Sequence, residues 1–169
     1  DNVAFRQPAH LFLNDGNGAF MDATPEIGGA LATPLVARGA AYGDLDRDGD
    51  LDLVVTENGG GVHVWRNDLV PGVRSLRVDL IGTNTQRDGL GASVEVVNGD
   101  QRQARVVRTG STYLSQSELT ATFGLGAAAR VDSLTVTWPS GTVDRFAGVE
   151  AGAVRITEGG TLERSGVEA

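Results

Sequence analysis

The sequence predicts an all-β chain, and three observations carry that expectation. Apolar residues fall in short runs of Val, Leu, Ile and Thr rather than at helical spacing. Gly, Asn and Asp punctuate these runs along the whole length. Several runs alternate apolar with polar residues, as in Leu76, Val78, Leu80 and again in Leu134, Val136, Trp138, the pattern of a strand that buries one face.

Taken in order, Leu11-Phe12-Leu13 is the first strand. Asn14-Asp15-Gly16-Asn17-Gly18, between Leu13 and Phe20, is a hairpin signal, because these residues tolerate the positive φ of tight turns. Its oxygens could also meet a metal, but a turn is the expected role. Leu51 to Thr56 is a strand, and Leu51 to Val55, nearly continuous in apolar character, is expected to be buried on both faces. Val62 to Trp65, Leu76 to Leu80, Ala92 to Val97, Gln103 to Arg108, Val131 to Trp138 and Ala153 to Ile156 complete the series. Pro139-Ser140-Gly141 reads as a turn. No helix is expected. Phe123-Gly124-Leu125-Gly126 is rich in glycine but lacks the Lys and the helix of a phosphate-binding loop.

Composition narrows the function classes. At 169 residues the chain can build one good core or two small ones. A formal net charge of −8 argues against nucleic acid and anionic membrane surfaces as partners. All 14 basic residues are arginine, so Schiff-base chemistry is excluded, and without cysteine neither a thiol nucleophile nor a disulfide is possible. No G-x-S-x-G elbow occurs, and the chain is read as non-enzymatic. No apolar stretch has the length of a membrane-spanning helix, and Asp1-Asn2-Val3-Ala4 is no signal sequence, so a secreted protein would have lost its signal already. No N-x-S/T sequon is present, while Thr109, Ser111, Thr112 and Tyr113 remain open to O-linked sugar.

The most informative segment is Asp44-Leu45-Asp46-Arg47-Asp48-Gly49-Asp50-Leu51-Asp52, five aspartates at alternate positions with a glycine after the third. Carboxylates held about 4 Å apart repel by about 4 kcal/mol at the effective dielectric of a protein surface, so the cluster asks for a cation. The D-x-D-x-D-G spacing supplies oxygen ligands in the manner of calcium loops, with the glycine at the sharp turn. Asp44, Asp46 and Asp48 would bind by side chain, Asp50 by its carbonyl, and Asp52 by side chain or through a water. The segment is not an EF-hand, because Val55 stands where that motif places a bidentate Glu. The alternatives are a solvated acidic turn without metal, and magnesium, which prefers to keep its waters.

An internal repeat accompanies the loop. His10-Leu11-Phe12-Leu13-Asn14-Asp15 matches His63-Val64-Trp65-Arg66-Asn67-Asp68 in the order His, apolar, aromatic, any, Asn, Asp, at a spacing of about fifty residues. Each His could be a ligand or a base; a His repeated at one strand position reads better as a structural hydrogen-bonder.

Gly43 to Val55, followed by Val64-Trp65-Arg66-Asn67, resembles the FG-GAP or VCBS repeat, a blade of calcium-bearing β-propellers. From residue 76 the chain resembles the ASPIC/UnbV domain, as in the cartilage acidic protein group. That likeness is carried by Asn84 to Ala92, Gly110 to Ser117, Phe123 to Gly126 and Trp138 to Gly141. The resemblance implies one propeller-blade-like calcium repeat plus a β-sandwich-like second domain. Residues 1–15 would be the terminal strand of an incomplete preceding repeat, 16–72 the calcium repeat, 73–160 the second domain and 161–169 a tail. It implies Asp44, Asp46, Asp48 and Asp52, with the Asp50 carbonyl, as Ca²⁺ ligands, and an extracellular or cell-surface location. It assigns no functional residue to the ASPIC/UnbV half.

Such repeats usually come in sets that close into a ring, and one blade cannot close it. The first strand is therefore expected to be left unpaired. The chain is a fragment of a longer propeller, or folds its repeat back on the second domain, or pairs with other copies of itself head to tail into filaments. The function expected is a calcium-stabilised structural or adhesion module. The alternative is a calcium-dependent module binding an extracellular glycan or protein, with a sugar held against Trp65, Trp138 or Tyr113. For Trp138, core packing in line with Val136 and Leu134 is the preferred role.

Overall fold

The computed structural model describes residues 4–68 and 71–165. The chain is all-β. Its strands, in order, are β1 (Phe12–Asn14), β2 (Phe20–Asp22), β3 (Ala37–Gly43), β4 (Asp52–Glu57), β5 (Val62–Trp65), β6 (Arg74–Ile81), β7 (Ser93–Asn98), β8 (Gln101–Val106), β9 (Ala121–Gly126), β10 (Arg130–Thr137), β11 (Val143–Glu150), β12 (Gly152–Thr157) and β13 (Thr161–Arg164). One helical turn, α1 (Thr24–Ile27), and a 3₁₀ turn at Gly29–Ala32 interrupt them. The sequence did not predict α1; Pro25 near its start fixes φ for a first turn, and Gly28 at φ 54 ends it at once.

The N-terminal half holds two small antiparallel sheets. β1 and β2 form a hairpin with Phe12 opposite Asp22 and Asn14 opposite Phe20. Asp15 Oδ1 accepts the N–H groups of Asn17 and Ala19 at 2.8 and 3.1 Å, so the turn is closed by its own aspartate. The first strand is thus not unpaired as expected, because β2 occupies one of its edges. β3, β4 and β5 form a three-stranded antiparallel sheet with β4 at its centre. Val55 is buried on it, but Leu51, Leu53 and Val54 are only half-buried, contrary to the expectation of burial on both faces. A three-stranded sheet offers too little neighbouring surface to cover both sides of its middle strand.

The C-terminal half is a sandwich. One sheet runs β11-β10-β7-β8, all antiparallel; the other runs β13-β12-β6-β9, with β12 parallel to β6. Their inner faces share one core, including Leu76 and Val78 of β6, Val94 of β7, Phe123 of β9, Leu134 and Val136 of β10, and Ile156 of β12. Burying a side chain of this kind stabilises by about 1.5–3 kcal/mol. Trp138 belongs to this core at 2 % exposure and donates its indole N–H to Asp144 Oδ2 at 2.8 Å, so it offers no face to a sugar. Phe123-Gly124-Leu125-Gly126 is strand β9, with Ala121, Phe123 and Leu125 buried and the two glycines outward. The Asn84-Thr85 segment has a structural role: the N–H groups of Thr83, Asn84 and Thr85 converge on the carboxylate of buried Glu158 at 2.8–3.0 Å.

Candidate metal centre

The aspartate loop joins β3 to β4 and turns on two residues in left-handed conformation, Arg47 at φ 63 and Gly49 at φ 101. This geometry brings carboxylate oxygens of Asp44, Asp46 and Asp48 within 4.8 Å of one another. At that spacing each pair repels by about 3–4 kcal/mol at an effective dielectric near 20. Two arginines offset part of this: Arg77 Nη1 lies 2.7 Å from Asp44 Oδ2, and Arg66 Nη1 3.5 Å from Asp46 Oδ2.

The other two aspartates lie outside that trio. Asp52, buried at the start of β4, accepts Leu45 N–H at 2.8 Å through Oδ2 and Asn67 N–H at 3.0 Å through Oδ1. It ties the loop entrance to the end of β5. Asp50 is buried, and its N–H donates to Asp48 Oδ1 at 3.1 Å.

Whether these residues suit a cation is tested by Asp44. Its side chain is 0 % exposed. Oδ2 accepts Gly49 N–H at 3.1 Å as well as the Arg77 guanidinium, whereas Oδ1 is buried and meets no donor among the described residues. A buried carboxylate oxygen without a partner is costly, and its natural complement is a metal ion. The donor set is oxygen only, without His or Cys, which matches calcium. The residues fit the ion: Asp44 Oδ1 with the Asp46 and Asp48 carboxylates would hold it, and it would supply charge neutralisation and a rigid loop.

The loop is braced from the second half of the chain, by residues the sequence reading did not single out. Arg77, on β6, places Nη1 on Asp44 and Nη2 on Glu118 Oε2 at 2.8 Å, and Asp44 N–H donates to that same Glu118 oxygen at 3.3 Å. Ser75 Oγ donates to the Gly49 carbonyl. Further along, Thr112 Oγ1 bonds both N–H and C=O of Ala40 at 2.7 Å, Ser117 Oγ accepts Tyr42 N–H at 3.2 Å, and Glu118 N–H donates to the Tyr42 carbonyl at 3.0 Å. A Cβ on Gly39 would stand 2.4 Å from Ser115 Oγ and 2.9 Å from the Tyr113 carbonyl. The segment from Thr112 to Glu118 therefore closes directly on β3.

Both histidines face carboxylates. His10 Nδ1 is 3.3 Å from Asp22 Oδ2, and His63 Nε2 is 3.3 Å from Glu57 Oε2. The His63 contact, with the Val36 N–H and nearby Arg6, outweighs burial and holds the Glu57 carboxyl below its ordinary value. Each His links neighbouring segments of its own sheet region, the structural role expected of the repeat.

Residues 3–55 match the family model of the FG-GAP-like repeat, and residues 82–162 match that of ASPIC and UnbV. The chain carries the two in that order, as its motifs predict. No curated protein matches the chain. FG-GAP-like repeats are generally calcium-associated and typically extracellular, and both domains are generally non-catalytic. Among the described residues, no helix is long and apolar enough to cross a membrane.

Proposed function

We propose that this FG-GAP-like repeat joined to an ASPIC and UnbV domain is a non-enzymatic extracellular module in which Ca²⁺ stabilises the loop 44–52 and, through Asp44, Arg77 and Glu118, the joint between the two halves. The observation that carries the reading is the buried Asp44 Oδ1, without a donor among the described residues, beside the Asp46 and Asp48 carboxylates. A cation there relieves the repulsion within the loop while Oδ2 stays on Arg77. With a dissociation constant of about 10⁻⁵ M and about millimolar calcium, binding would stabilise the fold by about 2.7 kcal/mol. That is a large share of the margin of a domain that has no disulfide. Calorimetric titration of the calcium-free chain tests this: one site in the micromolar range, abolished in Asp48→Ala, is the expected result. No heat of binding up to millimolar calcium would refute it.

A structural or adhesive role is favoured by the distribution of exposed apolar groups. Phe12, Leu13, Phe20 and Met21 on the hairpin and Val62 and Val64 on β5 are all exposed. We infer that these surfaces meet other copies of the chain or further repeats, and that the chain self-associates in calcium. Light scattering showing a monomer at high concentration in millimolar calcium would refute self-association. The alternative, a glycan-binding module, is favoured by one feature: Trp65 lines an open groove of about 680 Å³ with Phe5 and Leu53.

A further inference from the structure

We propose that Asn17 and Asn58, in the hairpin turns of the N-terminal half, are sites of spontaneous deamidation, and that Asn98 in the second domain is protected from it by Asp132. The sequence holds three Asn-Gly pairs, at 17–18, 58–59 and 98–99. Each lies at a hairpin turn, between β1 and β2, β4 and β5, and β7 and β8 respectively. A glycine has no Cβ to shield its own peptide nitrogen, so that nitrogen can close on the side chain before it.

In this reaction the glycine N–H gives its proton to water or hydroxide, and the nitrogen attacks Cγ of the preceding Asn. A new C–N bond forms, the carboxamide C–N bond breaks, and the side-chain nitrogen leaves as ammonia. Water then adds to one carbonyl of the cyclic imide and opens it to Asp or isoaspartate. The balance is one water taken up and one ammonia released. Because the first step removes the glycine proton, an acceptor that holds that proton slows the whole sequence.

The structure separates the sites on this ground. Gly99 N–H donates to Asp132 Oδ2 at 2.8 Å, and the carboxylate charge opposes the nitrogen anion that proton loss would leave. The three Asp-Gly pairs, open to the same cyclisation, are guarded alike: Gly16 N–H is taken by Asn14 Oδ1, Gly49 N–H by Asp44 Oδ2 and Gly89 N–H by the Gln86 carbonyl, at 2.7, 3.1 and 2.9 Å. Gly18 and Gly59 N–H meet no acceptor among the described residues, and Asn17 and Asn58 are exposed. Conversion adds a negative charge at each turn, and isoaspartate adds a methylene to the backbone. The β4–β5 turn is closed by Glu57 N–H on the Gly61 carbonyl at 3.1 Å and Gly60 N–H on the Glu57 carbonyl at 3.3 Å, and Asn58 N–H ties it to the Val36 carbonyl at 2.9 Å. A longer backbone through residue 58 works against all three bonds, so ageing is directed to the sheet that carries the aspartate loop.

The test is peptide mapping of the full chain, kept folded in mildly alkaline buffer with calcium and sampled over weeks, beside the same chain in urea. Mass spectrometry reads the change from carboxamide to carboxylic acid at each Asn, and labelling by isoaspartyl methyltransferase reads the isomer. In the folded chain Asn17 and Asn58 should each convert at least about tenfold faster than Asn98, and in urea the three rates should draw together. Asp132→Ala should raise the Asn98 rate in the folded chain about tenfold, and Asp132→Asn, which keeps an acceptor without the charge, should raise it less. The comparison of folded with unfolded parent chain stands without either variant. Equal rates at the three sites in the folded chain would overturn the proposal. So would failure of either Asn17 or Asn58 to convert while the chain in urea does, or an Asn98 rate indifferent to both substitutions of Asp132.

Discussion

Asp44 and Arg77 are 33 positions apart in sequence and 2.7 Å apart in space, and their ion pair, beside the hydrogen bond from Ser75 Oγ to the Gly49 carbonyl, joins the aspartate loop to β6 of the second domain. One oxygen of Asp44 serves this joint, and the other meets no donor among the described residues. The oxygen at the joint, Oδ2, also accepts the Gly49 N–H at 3.1 Å, so loop and joint share one carboxylate oxygen.

Removing calcium is therefore expected to lower the melting temperature. A loss of about 2.7 kcal/mol corresponds to a fall of roughly 5–10 °C for a domain of this size. Scanning calorimetry in millimolar calcium and after chelation checks this, and superimposable transitions would count against a structural role for the ion.

Arg77→Met leaves the buried Asp44 carboxylate facing Glu118 without compensation. The calcium-free chain should lose about 3 kcal/mol, and the loss should shrink in calcium because the cation takes over part of the neutralisation of Asp44. Urea unfolding under both conditions measures the difference. An equal loss in both would show that the ion pair and the metal act independently.

Glu158 predicts a pH dependence. Burial pushes its carboxyl up, but the Ser140 hydroxyl, the N–H groups of Asn84 and Thr83, and the Thr85 side chain outweigh burial and hold it at about 2 instead of 4.5. Its folded value lies below its unfolded value, so its contribution is complete above about pH 4.5 and is lost as pH falls towards 2. In calcium-free buffer, where acid cannot act by releasing the ion, Glu158→Gln should be less stable than the parent at pH 7. The gap should narrow as the pH falls from 4.5 to 2.

Leu114 stands at φ 47 with 90 % of its surface exposed, so its side chain contributes little packing to offset a strained backbone. Leu114→Gly should stabilise the chain by about 1 kcal/mol, and Leu114→Val, with a β-branched side chain, should destabilise it. Shifts in the urea midpoint report both. Loss of stability in the glycine variant would show that the side chain is held by contacts worth more than the strain.

Local chemistry explains what was legible in advance. The hairpin at Asn14 to Gly18, the alternating strands β6 and β10, the Trp138 core position and the convergence of Asp44, Asp46 and Asp48 follow from turn residues, pleat period and ligand spacing. Strands β3, β9, β11 and β13 were not anticipated. β3 is mostly small residues, β9 carries glycines at its outward positions, and β11 mixes charge with glycine, so none shows clean alternation. Arg77, Glu118 and Ser75 were invisible for a different reason. Their partners lie 26 to 74 residues away, and nothing in the local sequence distinguishes an arginine that will meet Asp44 from one that faces solvent.

The closure of Thr112 to Glu118 on β3 has a further consequence. Along β3, the outward groups of Ala40 and Tyr42 are already occupied, so no incoming strand can dock there. β5 forms the opposite edge of that sheet. Among the described residues its two edges are therefore unlike, one stoppered by the chain's own second domain and one paired with no further strand, so any extension of the sheet by strand addition would be a vectorial process from the β5 side.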